Sequence, residues 1–273
     1  MEGKTLLIGP SVEYTGTFCG TLIQNQYPTC QFLSTQQPSK IDLDACKIVC
    51  QKRDIRFFIH THLASNLAKD DASNTLRSLR QTLAAVKDLP AAAVLHIGKA
   101  VDQASEGKRP DQEQRGKAIA NVVKRLNSLQ LTTKPILLLE NAAGQGREIG
   151  DTWEDIRKIK ESLDVGGIGF CLDTQHAFAA GLTDWEDYEE TNRVFDKIEE
   201  IGLPLGLVHL NDSAVKFESR VDRHASIGKG YIWNKDTDSL IELLARCGEK
   251  EISIVLETPS SQNDLKYIYD KFL

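Results

Sequence analysis

Short apolar runs recur along this chain, and polar stretches with helical periodicity separate them. Eight such runs can be distinguished: TLLIG at 5–9, CQFLS at 30–34, IRFFIHTH at 55–62, AAAVLHIG at 91–98, PILLLEN at 135–141, GGIGFCLDT at 166–174, LPLGLVHLND at 203–212 and EISIVLETP at 251–259. Aliphatic residues occupy both faces of each run, a pattern typical of parallel strands that are covered by helices. The pattern therefore predicts eight parallel strands.

Amphipathic stretches lie between these runs, and several begin with an aspartate, a favoured N-cap residue. The clearest are Asp71–Lys87, Asp111–Ser128, Asp151–Leu163, Asp187–Ile201 and Asp236–Cys247. Eight strands that alternate with helices predict an α/β fold of the closed (β/α)8, or TIM barrel, type. A doubly wound open sheet has the same alternation and is the alternative. No linker or change in composition interrupts the pattern, so we expect a single domain over residues 1–273.

Length and composition fit a globular protein that makes no use of a membrane. The 273 residues suffice for one barrel. No apolar run approaches the roughly 18 residues of a membrane span. The start, MEGKTLLIGPSVEYTG, lacks the long apolar part and the cleavage site of a secretion signal.

The chain has six cysteines, which form no CxxC pair: Cys19, Cys30, Cys46, Cys50, Cys171 and Cys247. Two of them, Cys46 and Cys50, are four residues apart on a predicted helix. This pattern favours reduced, buried thiols over a disulfide framework. We expect an intracellular, reducing compartment, either cytoplasmic or nuclear, and leave a viral source open.

Ionisable side chains gather at the ends of the apolar runs. Histidines end the third run (His60 and His62), the fourth (His96) and the seventh (His209). Carboxylates end the fifth run (Glu140), the sixth (Asp173) and the eighth (Glu257), and His176 follows the sixth. In a barrel, these ends meet at one rim. Buried ionisable groups that converge there would destabilise the fold unless a cation lay between them. Imidazole and carboxylate ligands without thiolate suit zinc, manganese or iron.

Two further candidate ligands lie in the segment after the seventh run, within VDRHASIGKG. Asp222 and His224 are two residues apart, so an extended segment directs both side chains to the same side. The D-x-H spacing alone is common. Asp173 and His176 in CLDTQHAFAAG can reach different metal ions if the strand turns after Thr174.

Five segments resemble the endonuclease IV family of abasic-site endonucleases, in order along most of the chain: LLLENAAGQG (137–146), GFCLDTQHAFAAG (169–181), HLNDS (209–213), DRHASIGKG (222–230) and LETP (256–259). The resemblance implies a zinc-dependent enzyme of base excision repair. It implies hydrolysis of the phosphodiester 5′ to an abasic site in double-stranded DNA, which leaves a 3′-hydroxyl, and trimming of blocked 3′ ends.

The resemblance also implies three zinc ions per chain. The first would be bound by His60 and His96, with Glu140 as the bridge to the second; the second would be completed by Asp173, His209 and Glu257; the third would be bound by His176, Asp222 and His224. Glu140 and Glu257 are the expected catalytic residues, because one fixes the metal pair and the other orients the attacking water. Three divalent cations would neutralise the formal net charge of −6, so this charge does not exclude a DNA partner.

Polar and basic residues of the predicted rim are candidates for binding the DNA backbone. The basic residues there are Lys99, Lys108, Arg109, Arg147, Lys216, Arg220, Arg223 and Lys229, and the amides are Asn141, Gln145 and Asn211. Among these we expect direct DNA contacts from Lys99, Arg147, Asn211, Lys216, Arg223 and Lys229. We expect a monomer, because the rim must stay free for DNA.

Three features depart from the family pattern. Gly9-Pro10-Ser11 stands where the family has a histidine after the glycine, and Leu63 and Ala64 stand where a bulky aromatic residue helps to open the DNA. His62 has no family role, and we expect it to contact a ligand residue rather than a metal. Two other functions are compatible with part of the pattern. One is a single-metal sugar isomerase or epimerase that uses Glu140, Asp173, His209 and Glu257, and the other is a non-catalytic DNA-damage-binding protein.

Overall fold

The computed structural model describes residues 6–12, 17–33, 40–100, 109–131, 134, 136–234 and 238–272. Its barrel strands are β1 (Ile8–Val12), β2 (Thr29–Leu33), β3 (Arg56–His60), β4 (Ala91–His96), β5 (Leu137–Glu140), β6 (Ile168–Asp173), β7 (Leu205–His209) and β10 (Ser253–Leu256). A two-stranded antiparallel ribbon, β8 (Asp212–Ser213) and β9 (His224–Ala225), follows β7. The helices are α1 (Phe18–Gln24), α2 (Lys40–Arg53), α3 (Ser73–Val86), α4 (Gln112–Asn127), α5 (Trp153–Glu161), α6 (Thr174–Ala180), α7 (Tyr188–Ile201), α8 (Asp238–Glu249) and α9 (Ser261–Phe272).

The eight barrel strands close on themselves in the order β1-β10-β7-β6-β5-β4-β3-β2, and all their pairings are parallel. The predicted (β/α)8 barrel is therefore confirmed, and the open sheet is wrong. In the described residues, no helix combines the length and the apolar character needed to cross a membrane.

The first strand begins three residues later than its apolar run, at Ile8 instead of Thr5. The register with the neighbouring strands begins where Ile8 pairs with Ile254 of β10, and Ser11 pairs with Gln31 of β2. Thr5, Ser34 and Pro135, which belong to three of the predicted runs, lie outside the described residues.

Aspartates cap two of the predicted helices as expected. The side chain of Asp111 accepts a hydrogen bond from the backbone of Gln114 at the start of α4, and Asp187 caps α7 in the same way. The prediction was wrong for Asp151, because Thr152 caps α5 and the Asp151 carboxylate bonds to arginines instead. The start predicted at Asp236 lies outside the described residues.

A buried cluster of mostly apolar side chains lies in the barrel interior, and the larger core cluster lies between the strands and the helices. The interior cluster consists of Phe58, Ala92, Val94, Leu138, Cys171, Leu207 and Val255. Alternate side chains of a strand face opposite sides, so the residue two positions after an interior residue also faces inward. On six strands that residue is one of the candidate ligands: His60, His96, Glu140, Asp173, His209 or Glu257.

Strand β7 contains a β-bulge. Leu205 pairs with Phe170 of β6, whereas Leu207 pairs with the very next residue, Cys171, so Gly206 is one residue extra. A side chain on Gly206 would meet Leu138 at 2.9 Å, which explains why glycine occupies this position.

The cysteines are free thiols, and all but Cys19 are buried. Burial raises the pKa of Cys30 and of Cys171 to about 12 and that of Cys50 to about 11. At neutral pH these thiols are therefore protonated.

Candidate metal centre

A single buried carboxylate, that of Glu140, lies at the centre of the ligand cluster. Its Oε2 is 3.1 Å from Nε2 of His60 and 3.0 Å from Nε2 of His96. Its Oε1 is 2.9 Å from Nδ1 of His209 and 3.6 Å from Nδ1 of His176. Glu140 is 1% exposed, so solvent contributes little to the stabilisation of its charge.

The candidate ligands fall into three groups, each with ligand atoms within 4.8 Å of one another. The groups are His60, His96 and Glu140; Glu140, Asp173, His209 and Glu257; and Asp173, His176 and His224. Glu140 and Asp173 each belong to two groups. The structure thus brings the strand-end residues and the later segment together as one continuous cluster of oxygen and nitrogen donors.

Asp222 lies at the edge of the third group. Its Oδ1 is 3.5 Å from Nε2 of His176 and 3.3 Å from Nε2 of His224. Within the described part of the chain, Nε2 of His224 is buried without a hydrogen bond. A buried nitrogen that faces the carboxylates of Asp173 and Asp222 without a hydrogen bond fits a cation between them.

Backbone carbonyl oxygens orient three of the imidazoles. A carbonyl oxygen only accepts hydrogen bonds, so each contacted Nδ1 must be the donor and each Nε2 faces the cluster. The pairs are His60 with the carbonyl of Thr61 at 2.8 Å, His176 with that of Asn141 at 2.9 Å, and His224 with that of Glu257 at 3.2 Å.

Asn211, for which we had predicted a DNA contact, supports the cluster from below. It is 0% exposed; its Nδ2 donates to Oδ2 of Asp173 at 2.7 Å, and its Oδ1 accepts from the backbone of Glu257 at 3.0 Å. Both ends of the amide are used within the protein, and they fix two of the candidate ligands.

The charge state of the cluster follows from these contacts. Burial alone would raise the pKa of Glu140, but the imidazoles of His96 and His209 hold it well below its usual range. Burial would likewise lower the pKa of His176, but the carboxylates of Asp173 and Asp222 keep it well above its usual value. In the metal-free cluster a proton on His176 is therefore favoured, and a bound cation would replace it.

Sequence reasoning missed Gln31, a buried residue of β2. Its Nε2 donates to Oε1 of Glu257 at 2.6 Å, and its Oε1 is 2.8 Å from Nε2 of His209. The signal was present in the run CQFLS, where one polar residue interrupts an apolar strand. Because Cys30 and Phe32 pack in the core on the helix side, alternation directs Gln31 inward.

The basic residues of the rim differ in their exposure to solvent and in their partners within the protein. Lys216, Arg223 and Lys229 are exposed. Lys99 is exposed and pairs with Glu148 at 3.1 Å. Arg147 is half-buried and donates to the carbonyl of Ala100 at 2.6 Å and to Gln114 at 2.8 Å, so it holds two loops together. Lys108 lies outside the described residues.

Three arginines converge on Asp151, whose side chain is 0% exposed. Arg109 lies 2.5 Å from its carboxylate, Arg115 2.8 Å and Arg220 2.9 Å. Arg115 also contacts Asp155. Arg220 and Asp222 belong to the same segment, so this cluster anchors a candidate ligand to the barrel.

The loop after β3 presents Leu63 at the rim, where its side chain is 58% exposed. Nδ1 of the neighbouring His62 accepts a hydrogen bond from the backbone of Ala64 at 3.0 Å. His62 is exposed and fixes this turn, where we had expected it to contact a ligand residue.

Comparison with known proteins agrees with the geometry of the cluster. The family described as "xylose isomerase-like TIM barrel" matches residues 24–271. A probable endonuclease 4 of Symbiobacterium thermophilum is 37% identical over 211 residues, which cover 73% of this chain and 70% of the relative. The chain belongs to the endonuclease IV family of AP endonucleases.

Solved structures show that the barrel of this endonuclease IV family member is shared more widely. The crystal structure of endonuclease IV from Thermus thermophilus matches with a TM-score of 0.77 and 22% identity, over 97% of each chain. A D-tagatose 3-epimerase-like protein matches with a TM-score of 0.70 and 16% identity, over 97% of this chain and 96% of that one. At these identities the likeness shows the fold alone, so the function has to be argued from the site.

Proposed function

We propose that this chain is a zinc-dependent AP endonuclease of base excision repair. It hydrolyses the phosphodiester 5′ to an abasic site in double-stranded DNA, leaves a 3′-hydroxyl and also trims blocked 3′ ends. We further propose that it acts as a single-domain monomer in an intracellular, reducing compartment. The observation that carries the proposal is the gathering of eight donor side chains in three overlapping groups, with Asp222 as a ninth donor at the edge of the third group.

The ligand set favours this function over a sugar isomerase. A single-metal isomerase would use Glu140, Asp173, His209 and Glu257, which form only the second of the three groups. That function would leave several buried or half-buried donors without a purpose, namely His60, His96, His176, Asp222 and His224. Two or more divalent cations stabilise the attacking and the leaving oxygen of a phosphodiester, and this chemistry accounts for all nine residues.

We assign the donors to three zinc ions in the order that the groups suggest. His60, His96 and Glu140 would hold the first ion, and Glu140, Asp173, His209 and Glu257 would hold the second. The third ion would be held by His176, His224 and the carboxylates of Asp222 and Asp173. When bound, the ions supply Lewis acidity: they lower the pKa of water and neutralise charge on the phosphate oxygens.

The remaining work is done by the side chains themselves. Glu140, fixed by its imidazole contacts, sets the spacing of the first two sites. Glu257 is partly open to the rim, with a side chain 19% exposed, and from there it can accept a proton from a water and orient it toward phosphorus. Lys216, Arg223 and Lys229, with Lys99 and Arg147 beside them, place the DNA backbone across the rim without reading its sequence.

Metal content and incision test the proposal together. We expect about three zinc ions per purified chain, since each group fills three or more coordination positions. We also expect cleavage 5′ to a single abasic analogue in a duplex. Long incubation with a chelator should remove the ions and the activity, and added zinc should restore both.

Elemental analysis and a gel assay of the labelled duplex measure these two quantities. One ion per chain without incision would favour the isomerase. Tight binding to abasic DNA without turnover in the zinc-loaded protein would favour a non-catalytic damage-binding protein.

A further inference from the structure

The amide of Gln31 lies directly behind the second group of candidate ligands. Gln31 is 0% exposed and sits in the middle of β2, on the opposite side of the barrel interior from β6. It makes two side-chain hydrogen bonds, one to Glu257 at 2.6 Å and one to His209 at 2.8 Å. Both partners belong to the second group.

The chemistry of the two partners fixes the direction of the amide. An ionised carboxylate only accepts hydrogen bonds, so the NH₂ end of Gln31 must face Glu257. The carbonyl end of Gln31 then faces His209, and because this oxygen only accepts, Nε2 of His209 must donate. The lone pair of His209 is thereby left on Nδ1.

This Nδ1 points to the place where a cation would be held. It lies 2.9 Å from Oε1 of Glu140, 3.1 Å from Oε2 of Glu257 and 3.8 Å from Oδ2 of Asp173. The bond from Gln31 engages the other oxygen of Glu257, Oε1, and so turns Oε2 toward the same point. One amide thus orients a nitrogen ligand and an oxygen ligand at once.

We propose that Gln31 is a positioning residue of the second metal site, which it organises by selecting the His209 tautomer and by fixing the rotation of Glu257. This inference rests on the proposed function, because it requires that the centre bind zinc. Loss of such an outer hydrogen-bonding partner lowers metal affinity by about 10–100-fold.

The test compares Gln31→Met with Thr29→Val. Methionine has nearly the volume of glutamine but cannot form either hydrogen bond. Thr29 is a buried residue of the same strand whose hydroxyl has no hydrogen-bond partner in the described residues, so its removal is the matched control. Zinc affinity is measured by competition with a chromophoric chelator. We expect one of the ions to bind about 10–100-fold more weakly in Gln31→Met and all of them to bind normally in Thr29→Val.

A second measurement separates positioning from packing. In the cobalt-substituted protein, the Nε2–H of His209 should give an exchangeable, paramagnetically shifted proton resonance. We expect this resonance in the parent protein and in Thr29→Val, and we expect it to be lost through solvent exchange in Gln31→Met. The melting temperature should fall more from the parent to Gln31→Met in the zinc-loaded state than in the metal-free state.

The possible outcomes distinguish the positioning role of Gln31 from the proposed nuclease function. If the parent protein binds about three zinc ions and Gln31→Met binds them equally well, the role of Gln31 is refuted and the nuclease proposal stands. Equal loss of melting temperature with and without zinc would also refute it, since that result indicates packing alone. A parent protein that binds no zinc would overturn both.

Discussion

Replacing Glu140 with glutamine should lower the rate of abasic-site cleavage by more than about 10³-fold, since loss of one preorganised group in an active site already costs about 10²–10³-fold. The substitution keeps the size of the side chain but removes the one negative charge that His60, His96 and His209 share. The bridge between the first two metal sites is lost with it. Single-turnover incision of a labelled duplex measures the effect.

Binding of abasic DNA should survive the same substitution. The exposed basic residues of the rim, Lys216, Arg223 and Lys229, are unchanged, and they supply the contacts to the backbone. Glu161→Gln, an exposed position at the end of α5, is the control and should cleave at the parent rate. Near-normal turnover of Glu140→Gln would refute the bridging role.

Replacing Asp151 with asparagine should lower the free energy of unfolding by about 3–5 kcal/mol, the usual cost of removing one member of a buried ion pair. The Asp151 side chain is fully buried and accepts from Arg109, Arg115 and Arg220. Without the carboxylate, Arg115 in particular is left partly buried, and Asp155 is its remaining counter-charge among the residues that the structure describes. Urea unfolding at a fixed zinc concentration measures the change.

Asp70→Asn is the matched control for this prediction. Asp70 pairs with Lys117 at 2.9 Å, but both side chains are mostly exposed, so water replaces the lost contact. We expect its unfolding curve to overlay that of the parent. Equal stability of the two variants would show that the arginine cluster contributes nothing to the fold.

The positions of the strands and of the strand-end ligands could be predicted from the sequence, because both follow from simple periodicities. Apolar runs of strand length recur between amphipathic stretches, and a histidine or carboxylate that ends such a run comes to the rim whatever the details of packing. The ends of the runs were less certain, as β1 shows, since a strand extends over the residues for which its neighbours offer partners.

The supporting residues were harder to predict, because their roles depend on which side of a strand faces inward and on distant partners. Gln31 is separated by 178 residues from His209 and by 226 from Glu257. An aspartate before Thr152 looks like an N-cap, and only the three arginines from other parts of the chain reveal why Asp151 is buried. Asn211 looks like a surface amide until the burial of its segment is known.

The β-bulge in β7 determines which face of the strand the His209 side chain occupies. Leu205 packs with the helix-side core, whereas His209, four residues later, faces the barrel interior. In a regular strand, residues four apart would point the same way. Gly206 is the added residue that resets the phase. The direction of the His209 side chain therefore depends on the number of residues in β7. A family member that lacked one residue of this strand would need an insertion elsewhere in the strand to keep the imidazole of this ligand in the barrel interior.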